Sequence, residues 1–153
     1  NGKFADVEHN IKEMKKISSV SRIVGAFTVQ ANNILQIDKV IDYFLRDMEI
    51  VFYSHRVNYP RALSAQVLPE KLKQAVVVKL EAMKDKVKDY PIIQKHPVLE
   101  KITLRQIQDN INFLQAKDLH QYWDDCVDFN RKLDETRNQG PVEKINPEFA
   151  NYV

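Results

Sequence analysis

Between Ser21 and Asp47 the apolar residues change their spacing once, from strict alternation to a helical period. In SRIVGAFTVQ, Ile23, Gly25, Phe27 and Val29 share one face of an extended segment, and Val24, Ala26, Thr28 and Gln30 share the other. That second face turns polar only towards its C-terminal end, where α/β proteins keep their sites. Ile34, Ile37, Ile41, Phe44, Leu45 and Met48 then follow near helical spacing, with Asn32 and Asn33 left in the loop between. Together these features predict a βα module whose helix covers the apolar strand face. EIVFYSHRV, Glu49 to Val57, is rich in β-branched and aromatic residues and reads as a second strand. The helix between the two is a natural right-handed crossover, so the strands are expected to be parallel neighbours. A two-stranded parallel sheet leaves unpaired edges and an uncovered inner face, which points to an incomplete unit.

The remaining pattern is helical. Phe4, Val7, Ile11 and Met14 form one face of a first helix ending near SSVS. NYPRALSAQVLP holds two prolines and predicts an ordered loop before a long helix from Pro69 to Lys88, with Pro69 in the first turn and a stripe of Leu72, Val76, Leu80, Met83 and Val87. DYPIIQKHPV is a proline-punctuated connector. Beyond it, Thr103 with Gln106 and Asp118 with Gln121 resemble capping boxes. The first box opens a helix carrying Leu104, Ile107, Ile111 and Leu114; the second opens one carrying Leu119, Tyr122 or Trp123, Cys126, Phe129 and Leu133, ending near Asn138 to Gly140. Asn146 and Pro147 can start a last short helix, Pro147 to Tyr152. The chain thus divides into an α/β part, residues 1–90, and a helical extension, residues 91–153.

Composition narrows the function classes. A chain of 153 residues with 44% hydrophobic and 29% charged residues is an ordinary single-domain globular composition. Basic residues outnumber acidic ones by 23 to 21 and are interleaved with them, so no basic stripe with stacking aromatics points to nucleic acid. The lone Cys126 excludes an internal disulfide and any cysteine-only metal site, and fits a reducing cytoplasm. No apolar run reaches the ~20 residues of a membrane span, and the charged N-terminus is no signal peptide. With only three glycines, a Gly-rich phosphate loop is not expected. The opening NGKF lacks an initiator methionine and runs almost at once into a helix, which suggests a cut or processed end within a longer polypeptide.

His9, His55, His96 and His120 lack metal-ligand spacing, and Asp124, Asp125 and Asp128 lie on one helix turn without a glycine-bearing calcium loop. Trp123 and Cys126 read as core, and no basic neighbour in sequence lowers the thiol pKa. More informative is the polar group Thr28, Gln30, Asn32 and Asn33. Asn33 with Gln36 can form a variant capping box and Thr28 is a good strand residue, but neither role explains Gln30 at a strand's C-terminal end. Amides there carry both donors and acceptors for the amino-acid moiety or ribose of a small ligand.

The segments NGKFADVEHNIKEM, IVGAFTVQANNILQIDKVIDYF, NYPRALSAQVLPEKLK and DFNRKLDETRNQGPVEKINPEF resemble the C-terminal half of radical S-adenosylmethionine enzymes, especially those described as twitch-domain proteins. The resemblance covers most of the chain. It implies an α/β fold, the last βα units of a partial (β/α)6 barrel followed by C-terminal helices, with S-adenosylmethionine as cofactor and an unknown substrate. On the same resemblance, TVQANN matches the end of the fifth strand and places Thr28, Gln30 and Asn33 near the cofactor, while Asn58 to Pro60 matches the end of the sixth. The family binds its 4Fe-4S cluster through a CxxxCxxC loop near the first strand, and this chain has no such motif. The cluster is therefore expected only through residues missing from the chain, in an upstream barrel half or an associated chain. The competing expectation is a non-catalytic helical protein-interaction or structural module.

Overall fold

The computed structural model describes residues 3–17, 23–137, 141, 144 and 147–151. Strands β1 (Val24–Val29) and β2 (Val51–Arg56) pair in parallel, with Val24 beside Val51 and Val29 beside Arg56. The chain crosses between them through a 3-10 turn (Ile34–Gln36), helix α2 (Ile37–Asp42) and a π-helical turn (Tyr43–Asp47). The expected apolar stripe lies where its spacing put it: Ile34, Ile37, Ile41 and Leu45 are at most 1% exposed. Gly25 and Val29 are buried beneath this crossover and Phe27 half-buried, whereas Val24, Ala26 and Thr28 are exposed on the other face. Gly25 is needed for that fit, because a Cβ there would stand 2.5 Å from Phe44 Cε1. Phe44 in turn stacks on Phe52, the register partner of Gly25, with ring centroids 6.5 Å apart.

Helix α1 (Phe4–Met14) buries none of its residues. It rests on the crossover through contacts that include the Phe4 ring 5.7 Å from that of Tyr43, the Tyr43 hydroxyl donating to Glu8 Oε1 at 2.7 Å, and Lys15 Nζ donating to Met48 O at 3.0 Å.

After β2, 3-10 turns at Arg61–Leu63 and Ala65–Val67 lead to α3 (Glu70–Lys86), whose Leu72, Val76, Leu80 and Met83 are buried, with Val87 just beyond. Pro69 stands before the first turn, in extended conformation, and its carbonyl accepts from Leu72 N at 2.9 Å. The expected connector contains a helix, α4 (Pro91–Lys95), because Pro91 is preset for a first helical position and Ile92 and Ile93 have core to enter.

Helix α5 (Val98–Ala116) starts straight after Pro97, so Thr103 lies buried inside it and caps nothing. The second capping box is half realised: Asp118 Oδ1 accepts from His120 N at 3.1 Å, at the start of the 3-10 turn His120–Tyr122 that precedes α6 (Trp123–Arg137). In α6 the inward positions are Trp123, Cys126 and Asn130, while Phe129 is 42% exposed. A step of four from Cys126 keeps to the buried face, and Asn130 is tolerated there because its Nδ2 donates to Cys126 O at 3.0 Å. Phe149, in a last 3-10 turn (Pro147–Asn151), stacks on Trp123 at 5.6 Å. One core runs from Val29 to Phe149, so the helices after residue 90 pack on the α/β part. The expected ends at Ser21, SSVS, Asn138 to Gly140 and Tyr152 lie outside the described residues. Among the described residues, no helix is long and apolar enough to cross a membrane.

Candidate functional site

Parallel pairing brings the two strand ends together, with Val57 N donating to Val29 O at 2.9 Å. Thr28 is exposed on the bare face beside its register partner His55, also exposed. Gln30 follows, half-buried, and its side-chain amide bonds to no described residue. Asn33 is not the cap its spacing with Gln36 suggested. Its Oδ1 accepts from Gln30 N at 3.0 Å and its Nδ2 donates to Thr28 O at 2.9 Å, and no side-chain bond caps the following turn. Both halves of the amide are consumed in closing the strand end, so Asn33 holds the backbone that presents Gln30. Asn58 lies at the end of the neighbouring strand, exposed, with only a 3.5 Å contact from its Nδ2 to Arg56 O, at the limit of a hydrogen bond. The structure thus gathers Thr28, Gln30 and Asn33 at one strand end, with Asn58 at the next.

The bare face grades from apolar to polar. Val24, Ala26 and half-buried Tyr53 precede Thr28 and His55, and Gln30 stands at the end. A hydroxyl, an imidazole and an amide can bind and orient a ligand through hydrogen bonds. Sequence spacing gave no sign that His55 lies beside Thr28, because its neighbours in sequence carry no metal or catalytic pattern. Aligning the two predicted strands in parallel register would have found it beside Thr28.

Cys126 is fully buried, and burial pushes its thiol up to about 11, with Asn130 only partly opposing. It is therefore neither an accessible nucleophile nor a thiolate ready for metal. Among the described residues, no group of three or more His, Cys, Asp or Glu is placed to hold a metal ion. Asp124, Asp125 and Asp128 are exposed, as a solvated face requires.

Two further polar arrangements lie off the bare face. On the covered side, Ser54 donates its backbone N–H and its hydroxyl to Gln106 Oε1, both at 3.0 Å, and buried Asn110 donates to Ser54 Oγ at 2.9 Å. Between α3 and the end of α5, a cavity of about 160 Å³ is lined by Lys73, Gln74, Val77, Leu114, Gln115 and Asp118. Buried Lys73 donates to Asp118 at 2.9 Å, and that bond holds the Asp118 carboxyl below its usual range. This ion pair answers the lysine's charge within the chain, leaving a structural latch and not a vacant cation. No protein-family model, no curated protein and no solved structure matches this chain.

Proposed function

We propose that the chain is the C-terminal portion of a radical S-adenosylmethionine enzyme, carrying the last βα units of a partial (β/α)6 barrel and the helices that close it. The observation that supports this most is the parallel pair whose β1 side is bare on one face from Val24 to Thr28, with a Gln30 amide, bonded to no described residue, at its C-terminal end. In this reading the bare face lines the barrel, Thr28 and Gln30 sit at its mouth, Asn33 fixes that end, and Asn58 adds an amide from the neighbouring strand.

The chain's own residues do not fit an iron–sulfur cluster, since its one thiol is buried and held protonated. Cluster ligands would come from the upstream barrel half or from an associated chain. When bound, S-adenosylmethionine would supply the reactive chemistry; this chain's part is to hold and orient it through side-chain amides.

Calorimetric titration of S-adenosylmethionine into the complete, cluster-loaded protein, wild type against Gln30→Ala, tests the proposal. Losing a hydrogen bond to a charged ligand group, ~1.5–3 kcal/mol, lowers affinity roughly 10- to 150-fold. Thermal unfolding should register about 0.5 kcal/mol or less. Unchanged affinity would remove Gln30 from the site. No binding to the complete protein would favour the second reading, a non-catalytic interaction or structural module, which the engagement of both Asn33 amide atoms in a backbone clamp also favours.

A further inference from the structure

Exposure and pairing stand in reverse order among three arginines of this chain. Arg46 and Arg131, 59% and 64% exposed, pair with Asp42 at 3.3 Å and Asp128 at 2.6 Å. Arg56 is partly buried, yet its Nη1 is enclosed with no acceptor and it forms no ion pair among the described residues. Water satisfies exposed arginines; a buried guanidinium needs an acceptor, because desolvation penalises the charge and Arg does not deprotonate to escape it.

The guanidinium is nevertheless held in place. It lies over the Phe113 ring, 6.0 Å from the centroid. Phe113 is anchored by Gln66 Nε2 donating to its carbonyl at 2.6 Å, and α5 is fixed to β2 by the bonds between Ser54, Gln106 and Asn110. One turn before Phe113, Asn110 keeps a buried Oδ1 that likewise has no partner, so the two groups do not satisfy each other. An aromatic beneath a guanidinium keeps the donors in its plane turned away from the ring, and a fork of such parallel donors matches the two oxygens of a carboxylate or phosphate.

We propose that Arg56, backed by Phe113, binds an oxyanion, the carboxylate or phosphate group of a small molecule, at the C-terminal end of β2. The register partner of Arg56 is Val29, which is fully buried on the covered face, so this site lies on the other side of the sheet from Thr28. It does not depend on the proposed cofactor.

The test is a titration of the ¹⁵N-labelled protein with inorganic phosphate and, separately, acetate, each against chloride at matched ionic strength, following the arginine Nε–H signals in the wild type and the backbone amides of Val57 and Phe113, beside the site, in wild type and variants alike. The Arg56 signal should shift and saturate with at least one oxyanion where chloride gives no saturation, while Arg46 and Arg131 respond alike to all three salts. Arg56→Lys, which keeps the charge but loses the fork, should weaken binding roughly tenfold, and Arg56→Gln should abolish the saturable phase. If Arg56 follows chloride throughout, or saturation survives in Arg56→Gln, the proposal is overturned. Should Arg56→Gln fail to fold, the wild-type Arg56 signal together with Arg56→Lys decides.

Discussion

On the β2 side of the sheet the chain closes over itself: Phe52 is 2% exposed, and Gln106 of α5 accepts from the Ser54 N–H. On the β1 side it does not. Among the described residues β1 pairs with β2 alone, its Val24, Ala26 and Thr28 are exposed, and α1 leaves Phe4 65%, Val7 50% and Met14 44% exposed. Parallel sheets are normally covered on both faces, and burial of apolar area is the main term holding such layers together. One flank therefore carries its own stability, and the other offers an apolar surface and strand backbone for a further layer. Under the proposed function, the barrel would end at β2 and continue beyond β1.

The largest expected difference sets the two faces against each other. Phe52→Ala removes a ring packed on Phe44 and should cost ~3–5 kcal/mol. Val24→Ala, on the bare face, should stay within about 1 kcal/mol. Urea denaturation of the two variants measures this; a Val24→Ala cost near that of Phe52→Ala would mean that the bare face is covered in solution, and its concentration dependence would show whether a second copy covers it.

The sheet was legible because each segment carries one unambiguous period: alternation from Ile23 to Gln30, then a helical stripe from Ile34 to Met48. Caps were less legible. A Thr or Asn three residues before Gln fits a capping box, yet Thr103 is inside a helix already begun at Val98, and the Asn33 amide found two backbone partners behind it. Local spacing cannot weigh such partners against one another. The partial site was visible in Gln30, an amide no strand needs, whereas Arg56 and Asn110 emerge only when α5 is laid against β2, through a contact such as that of Asn110 with Ser54, 56 residues apart in sequence, that leaves no local trace.

A smaller effect probes the closed edge. Gln106→Leu keeps most of the volume but leaves the buried Ser54 N–H without its acceptor, a loss of ~1–3 kcal/mol. Thr28→Ala, at the open edge, should be close to neutral, since the Thr28 backbone keeps its bond from Asn33. Amide exchange of Ser54 offers an independent readout: protected in the wild type, faster in Gln106→Leu. Equal stability of the two variants would mean that the β2 edge is no better closed than that of β1.

The smallest effect concerns the attachment of α1. Burial, then the hydrogen bond to Glu8, raises the Tyr43 phenol from 10 to about 12. A folded-state pKa above the unfolded one means that this stabilisation is complete below pH 10 and fades as pH rises towards 12. Ionisation removes the donor and sets a phenolate against the Glu8 carboxylate, which drives α1 off the crossover while the core beneath it stays packed. Far-ultraviolet circular dichroism should therefore lose part of one short helix over that window, in step with tyrosinate absorbance. Burial and Asp42 raise Tyr90 further still, so its titration falls above the same window. Tyr43→Phe, which cannot ionise, should show no such step, at a cost of no more than about 1 kcal/mol at neutral pH. An identical alkaline profile for wild type and Tyr43→Phe would mean that α1 is held by contacts other than this bond, and that the β1 flank is less dependent on an outside layer than its exposed Phe4, Val7 and Met14 imply.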